Sequence, residues 1–295
     1  MSKQLSFGGP WTERKLKILS EYLRGYRKIF EKNLRAQYFE VSYVDAFAGT
    51  GHIPRREREG AISLLPELDL SEDEFRKGSV RRALEITPPF DHYVFIEKHP
   101  AKFNELVSLA NQFPNRDIKL LNLDANDALM SWSAKMGRSR DRAVVFLDPF
   151  GASVDWSVIE SLAQTRAVDL WVLFPCAAIN RLLPKGKKPP RPWEDRLTRV
   201  FGTVEWEQEF YSASSNYSVF EPGRIVMRLS KITDQRRITE FFVRRLRTIF
   251  TAVADPGFLY NSKGPLFALI FAAGNQKGAE AGLRMAEYLL KNLNK

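Results

Sequence analysis

The chain has 295 residues, 44% of them hydrophobic, with 45 Lys and Arg against 35 Asp and Glu and a net charge of +10. That length supports one substantial core, or one core with a small appended unit, and no apolar run approaches the ~20 residues of a membrane-spanning helix. A single cysteine, Cys176, excludes an internal disulfide framework and a cysteine-based metal cluster. The opening MSKQLSFGGPWTERK has no apolar stretch of the signal-peptide kind, so the expected location is the cytoplasm. The positive field favours polyanionic partners, above all nucleic acid, through steering and counterion release.

Leu16, Leu19, Leu23, Tyr26 and Phe30 recur at steps of three and four and predict a helix over 11–31. A short apolar run, Val41 to Asp45, then enters the turn Ala48-Gly49-Thr50-Gly51. Residues 52–88 are charged and weakly periodic, which reads as an inserted loop or short helix. Regular alternation follows. Strands are predicted at 92–97, 118–123, 143–148 and 168–174, with helices at 100–112, 124–136 and about 154–164 between them. Near-continuous apolar strands separated by amphipathic helices indicate an α/β fold with a doubly wound, Rossmann-like, mostly parallel sheet.

The pattern breaks at the basic, proline-rich stretch Pro184 to Pro192, and 193–251 is expected to be mostly helical. In the helix over 235–250, Ile238, Phe241, Phe242, Leu246 and Ile249 face inward and Arg237, Arg244, Arg245 and Arg247 outward. Strand candidates 258–260 and 266–272, split by Lys263-Gly264-Pro265, form a late β-hairpin before a last helix at 277–293. The expected division is a core of 1–183 and 252–295, with 184–251 a basic helical insertion and candidate substrate-recognition region.

Ligands of open α/β sheets bind outside the carboxyl ends of the strands, so four strand ends carry the chemistry. Asp45-Ala46-Phe47-Ala48-Gly49-Thr50-Gly51 has glycines that let backbone approach a ligand closely. It lacks the G-x-G-x-x-G fingerprint and the Gly-Lys-Ser/Thr of a P-loop. Glu97 can accept hydrogen bonds from ribose hydroxyls, or be a surface acid at a strand end. Asp124, with Ala125, can meet a nucleobase amine, or cap the helix that follows with Asp127 in its first turn. Asp148-Pro149-Phe150-Gly151 is the sharpest of the four. An acceptor side chain and a main-chain carbonyl there can bind both hydrogens of an exocyclic amine, while an aromatic ring stacks on the base. His52, His92 and His99 show no metal-ligand spacing, and no metal site is expected.

These motifs resemble class I S-adenosylmethionine-dependent methyltransferases, whose sheet also ends in a late hairpin. The first is similar to the D-x-F-A-G-x-G form of motif I. The fourth is similar to motif IV of amino-methyltransferases, with Phe150 in place of a second proline and Gly151 in place of the aromatic. Phe7-Gly8-Gly9-Pro10-Trp11-Thr12, Asp45-Ala46-Phe47-Ala48-Gly49 and Phe146 to Gly151 together resemble the three-Cys-motif partner (TcmP) family, which is encoded beside a three-cysteine-motif protein.

The resemblance implies S-adenosylmethionine as cofactor, held by Asp45, Phe47, Gly49, Gly51, Glu97, Asp124 and Ala125. By likeness to motif X, Trp11 and Lys15 border it. Asp148, Pro149, Phe150 and Gly151 are then catalytic. Asn180 and Arg181, past the 168–174 strand, and Lys187, Lys188 and Trp193, in the basic stretch, are candidate substrate contacts by charge and stacking. The implied activity is methylation of an amino group of a nucleic-acid base. The competing expectation is a catalytically idle, cofactor-binding module that works with the three-cysteine partner.

Overall fold

The computed structural model describes residues 10–48, 78–136, 139–149, 151–217, 225–262 and 264–293, without the side chains of 10–13, 215–217 and 225–228. Helix α1 (Pro10–Lys32) leads into β1 (Glu40–Asp45), and α2 is described over 78–84. Then come β2 (His92–Ile96), α3 (Pro100–Ala110), β3 (Ile118–Leu121), α4 (Ala125–Ser133), β4 (Asp141–Leu147), α5 (Trp156–Gln164), β5 (Val168–Phe174) and α6 (Cys176–Arg181). The rest of the chain forms α7 (Arg191–Phe201), α8 (Trp206–Phe210), β6 (Tyr211–Tyr217), β7 (Ile225–Lys231), α9 (Gln235–Arg247), β8 (Ala252–Val253), β9 (Gly257–Asn261), β10 (Gly264–Ala273) and α10 (Ala279–Lys291). Gly49, Gly51, Phe150 and most of the 52–88 stretch lie outside the described residues.

The main sheet runs β3-β2-β1-β4-β5-β10-β8, with β9 also paired to β10. The first five strands are parallel, and β10 is antiparallel to β5, β8 and β9. This is the mostly parallel, doubly wound sheet with a late hairpin that the sequence predicts.

Side-chain alternation along the strands builds two cores. Tyr43, Phe95, Val144, Phe146, Trp171, Leu173 and Phe271 face α1, α2, α3 and α10. Val44, Ile96, Val145, Leu147, Val172, Phe174 and Ile270 face the layer of α4 to α9. Every residue of β5 is buried, as a central strand covered on both faces requires.

The segment 184–251 packs directly against the main sheet. Leu197 and Phe201 of α7, Trp206 of α8 and Phe241, Phe242 and Leu246 of α9 lie in one cluster with Val172 and Phe174 of the sheet. Gly202 closes α7 at φ +66°, and a Cβ there would lie 2.1 Å from Trp156. The segment, expected to be mostly helical, has strands beside its helices. It carries the two-stranded hairpin β6–β7, separate from the main sheet, which the serine-rich run Ser212-Ala213-Ser214-Ser215 does not announce. Two elements are shorter than expected: β3 stops at Leu121 and α4 at Ser133.

At the amino-terminal edge of the sheet, Tyr22 donates to Asp169 Oδ2 at 2.8 Å beneath the rings of Trp171 and Phe271. Burial raises the Asp169 carboxyl to about 7, against the opposing effects of the Tyr22 hydrogen bond and the Arg142 charge. The folded chain therefore holds this proton more tightly than the unfolded one. Its contribution to stability is full below the unfolded carboxyl value and is lost as pH rises through the folded value near 7. Asp169→Asn keeps an acceptor for Tyr22 and cannot ionise. Urea unfolding at pH 4.5, 6 and 8 is expected to show the variant gaining stability over the parent as pH rises. A pH-independent difference would contradict this account of Asp169.

Candidate functional site

Because β3, β2, β1 and β4 are adjacent and parallel, their carboxyl ends bring the four acidic motifs to one edge. Asp45 is the last residue of β1, Glu97 follows β2, Asp148 follows β4, and Asp124 lies three positions beyond β3. The sheet's strand order, not sequence proximity, assembles the site.

Asp45 is fully buried. Its Oδ1 accepts the Phe47 N–H at 3.2 Å, and its Oδ2 accepts the Ser79 hydroxyl of α2 at 2.9 Å. The carboxylate thus ties the first strand end to α2 and shapes the turn after it. Ser79 was not a sequence candidate, because nothing in a charged, weakly periodic stretch marks it. Burial first, and then the Asp45 and Asp148 charges, hold the Tyr43 hydroxyl well above its ordinary value, so this buried ring stays neutral between the two acids. Phe47 is half-buried against the opposite core, and Ala48 N–H reaches back to the Ile96 carbonyl at 2.9 Å.

Glu97 is 8% exposed, and its Oε1 accepts the His99 N–H at 2.7 Å. Asn122 donates to the carbonyls of Glu97 and Lys98 at 2.7 and 3.0 Å, which fixes that loop against the end of β3. Asp124 is the N-cap of α4, accepting the Asn126 N–H at 2.9 Å, with Asp127 in the first turn. Its second oxygen meets Lys98 Nζ at 3.2 Å. Desolvation pushes the Asp124 carboxyl up, but the Asn126 and Lys98 contacts together outweigh it and hold the group below its ordinary value. The capping role read from the sequence is therefore present. Ala125 is buried beneath the cap.

Asp148 differs from the other three acids. It is 2% exposed, and neither carboxylate oxygen has a hydrogen-bond partner among the described residues. Pro149 beside it is buried. Gly151 sits at φ +61°, where a side chain is strained, and a Cβ there would meet nothing within 4 Å. Beneath the turn, Pro149, Ala152, Val172, Phe174, Pro175 and Phe242 line an apolar cleft with about 20 Å³ of interior space. That is room for about one water molecule, too little for a nucleobase-sized ring.

Lys15 on α1 is 1% exposed, with Nζ 5.5 Å from the Phe267 ring centroid on β10. Trp11 lies in the first turn of α1, its side chain outside the description. Asn180 and Arg181 end α6, just past β5. Asn180 Oδ1 is buried without a partner among the described residues. Lys187 and Lys188 are exposed, and Lys188 pairs with Glu207 at 2.8 Å. Trp193 is half-buried against the core. Lys231 of β7, which the sequence reading missed, donates to the carbonyls of Asn180 and Leu183 at 2.8 and 2.9 Å. Burial, with the Lys185 charge, lowers its ammonium to about 8. Among the described residues no three His, Cys, Asp or Glu could hold a metal, and no helix is long and apolar enough to cross a membrane.

No family model and no curated protein matches the chain, so the three-Cys-motif partner resemblance stands on its quoted motifs alone. Among solved structures, it is similar to a protein from Legionella pneumophila at 14% identity, over 93% of this chain and 91% of that chain, with a TM-score of 0.47. It is similar to an S-adenosylmethionine-dependent methyltransferase from Clostridium acetobutylicum at 10% identity, over 88% and 92% of the two chains, with a TM-score of 0.38. An rRNA methylase from Streptococcus thermophilus matches at 8% identity, over 66% and 88%, with a TM-score of 0.29. Likeness at these levels concerns the fold alone, and the site stands on its own geometry.

Proposed function

We propose that the chain is an S-adenosylmethionine-dependent methyltransferase acting on an amino group of a nucleic-acid base. The observation that carries this reading is the Asp148 carboxylate, buried at the end of β4 with neither oxygen paired among the described residues. Leaving such a group unsatisfied costs about 1–3 kcal/mol, a cost that folding alone gives no reason to keep. An incoming N–H donor would remove it.

The cofactor fits the donor set at this edge. Glu97 spends one oxygen on His99 N–H and offers the other to ribose hydroxyls, while Asp124 and the buried Ala125 stand where an adenine would lie. By likeness to motif X, Lys15 and Trp11 of α1 would border the cofactor. When bound, S-adenosylmethionine supplies an electrophilic methyl group. Asp148 and the Pro149 carbonyl accept the two hydrogens of the substrate amine and turn its lone pair out of the ring plane. Phe150 stacks on the base, and the proton lost on methylation leaves to solvent. Orientation of this kind can supply roughly 7–11 kcal/mol of the barrier.

Nucleic acid as substrate is supported by charge. The 184–251 segment holds fourteen Lys and Arg against eight Asp and Glu, and its helix α7 touches the catalytic loop. Arg196 donates to the Ala152 carbonyl at 3.3 Å, and Arg199 lies 3.7 Å from the Asp155 carboxylate. The test is transfer of tritiated methyl from S-adenosylmethionine to total tRNA, rRNA and genomic DNA. Label in a base amino group is expected. Cofactor binding with no transfer to these, or to the three-cysteine-motif protein, would instead establish the idle, cofactor-binding partner module.

A further inference from the structure

The loop that follows the catalytic turn is held by one side chain from the cofactor side of the sheet edge. Asn126 Nδ2 donates to the Ser153 carbonyl at 3.0 Å, and its Oδ1 accepts the Asp155 N–H at 3.0 Å. The same residue donates its own N–H to Asp124 Oδ1 at 2.9 Å, with Nδ2 at 3.3 Å from that oxygen. A carboxamide carries a donor and an acceptor on one planar group, so it can pair with a backbone carbonyl and a backbone N–H together. A carboxylate offers only acceptors and a hydroxyl has no such span. The contact joins positions 27 and 29 residues apart in sequence.

We propose that Asn126 is a positioning residue that couples cofactor binding at Asp124 to the placement of the 151–155 loop, and through it of Asp148. This rests on the methyltransferase reading above and extends it to a residue that touches neither the cofactor nor the amine. A ligand that orders the Asp124 cap orders the Asn126 amide, which carries the loop's backbone with it. On the far side the loop meets only Arg196 and Arg199 of α7 among the charged contacts described. Substrate docking on α7 and cofactor docking at Asp124 therefore meet in the same five residues.

Adenosylhomocysteine is the probe, with the full chain as Asn126, Asn126→Ala and Asn126→Asp. Its affinity is measured by calorimetry, and amide hydrogen exchange is followed in peptides covering 151–158, with and without ligand. In the parent, the ligand is expected to slow exchange at Asp155 and its neighbours severalfold. In Asn126→Ala affinity stays within about threefold, a difference below 1 kcal/mol, while ligand-dependent protection of the loop is lost. Asn126→Asp keeps the acceptor for Asp155 N–H but cannot donate to Ser153, so it retains part of the protection even if the alanine variant folds poorly. A merely structural role would raise exchange equally in free and bound chains. Ligand-dependent protection that persists in both variants overturns the coupling alone. Absence of binding to the parent overturns the cofactor reading beneath it.

Discussion

Asp148→Ala is expected to lose methyl transfer by about 10²-fold or more while adenosylhomocysteine binds within a few-fold of the parent affinity. The same change is expected to raise the unfolding free energy by about 1 kcal/mol or more, because it removes a buried carboxylate whose oxygens find no partner among the described residues. A gain in stability with a loss of activity separates a site that folding tolerates from one that folding needs. Asp148→Asn keeps a carbonyl acceptor without the charge, so it is expected to gain stability as well and to keep part of the activity. The pair is read by urea unfolding and by tritiated-methyl transfer. If Asp148→Ala destabilises the chain and abolishes ligand binding together, Asp148 is a structural residue and the catalytic assignment falls.

The second large effect lies under the same turn. Phe242 of α9 is 2% exposed, stacks on Phe174 of β5 with ring centroids 4.3 Å apart, and meets Trp156 of α5 edge-on at 5.9 Å. It also walls the cleft beneath Pro149. Phe242→Ala removes a ring from a rigid aromatic stack that cannot collapse around the gap, so it is expected to cost about 3–5 kcal/mol. Excision of 184–251 would strip α7 to α9 from their side of the sheet and bare Val172, Phe174 and Ile270, and the shortened chain is expected not to fold. A cost below about 1 kcal/mol for Phe242→Ala, or a cooperative melt of the excised chain, would show that the segment is an appendage after all.

Much of this architecture was legible in the residues. The runs at 143–148 and 168–174 read as strands because a parallel strand covered on both faces is apolar at nearly every position. The hairpin before the last helix was marked by its Lys263-Gly264-Pro265 turn. Hairpin β6–β7 was not, since the exposed run Ser212-Ala213-Ser214 carries no apolar alternation. The place of α9 was half legible. Its inward face was read from period and composition, but that this face closes the main core depends on packing with residues about seventy positions earlier.

The site divides the same way. Strand ends could be named from the sequence, and adjacency of β3, β2, β1 and β4 then gathers Asp45, Glu97, Asp124 and Asp148 along one edge. What those acids do locally could not be read. Asp45 is committed to Phe47 N–H and Ser79, Glu97 spends one oxygen on His99 N–H, Asp124 caps α4, and only the structure shows Asp148 as the one of the four with neither oxygen spent among the described residues. Asn122, Asn126 and Lys231 were given no role because each acts on backbone carbonyls or N–H groups of distant loops, which have no signature in side-chain pattern.

The most direct measurement is a calorimetric titration of adenosylhomocysteine into the intact chain and into Glu97→Ala. Saturable one-to-one binding by the parent, weakened tenfold or more in the variant (about 1.4 kcal/mol), is the result predicted for a nucleoside held between the ends of β2 and β4. A silent titration, or equal affinity with and without the Glu97 carboxylate, would place the ligand elsewhere and contradict the site.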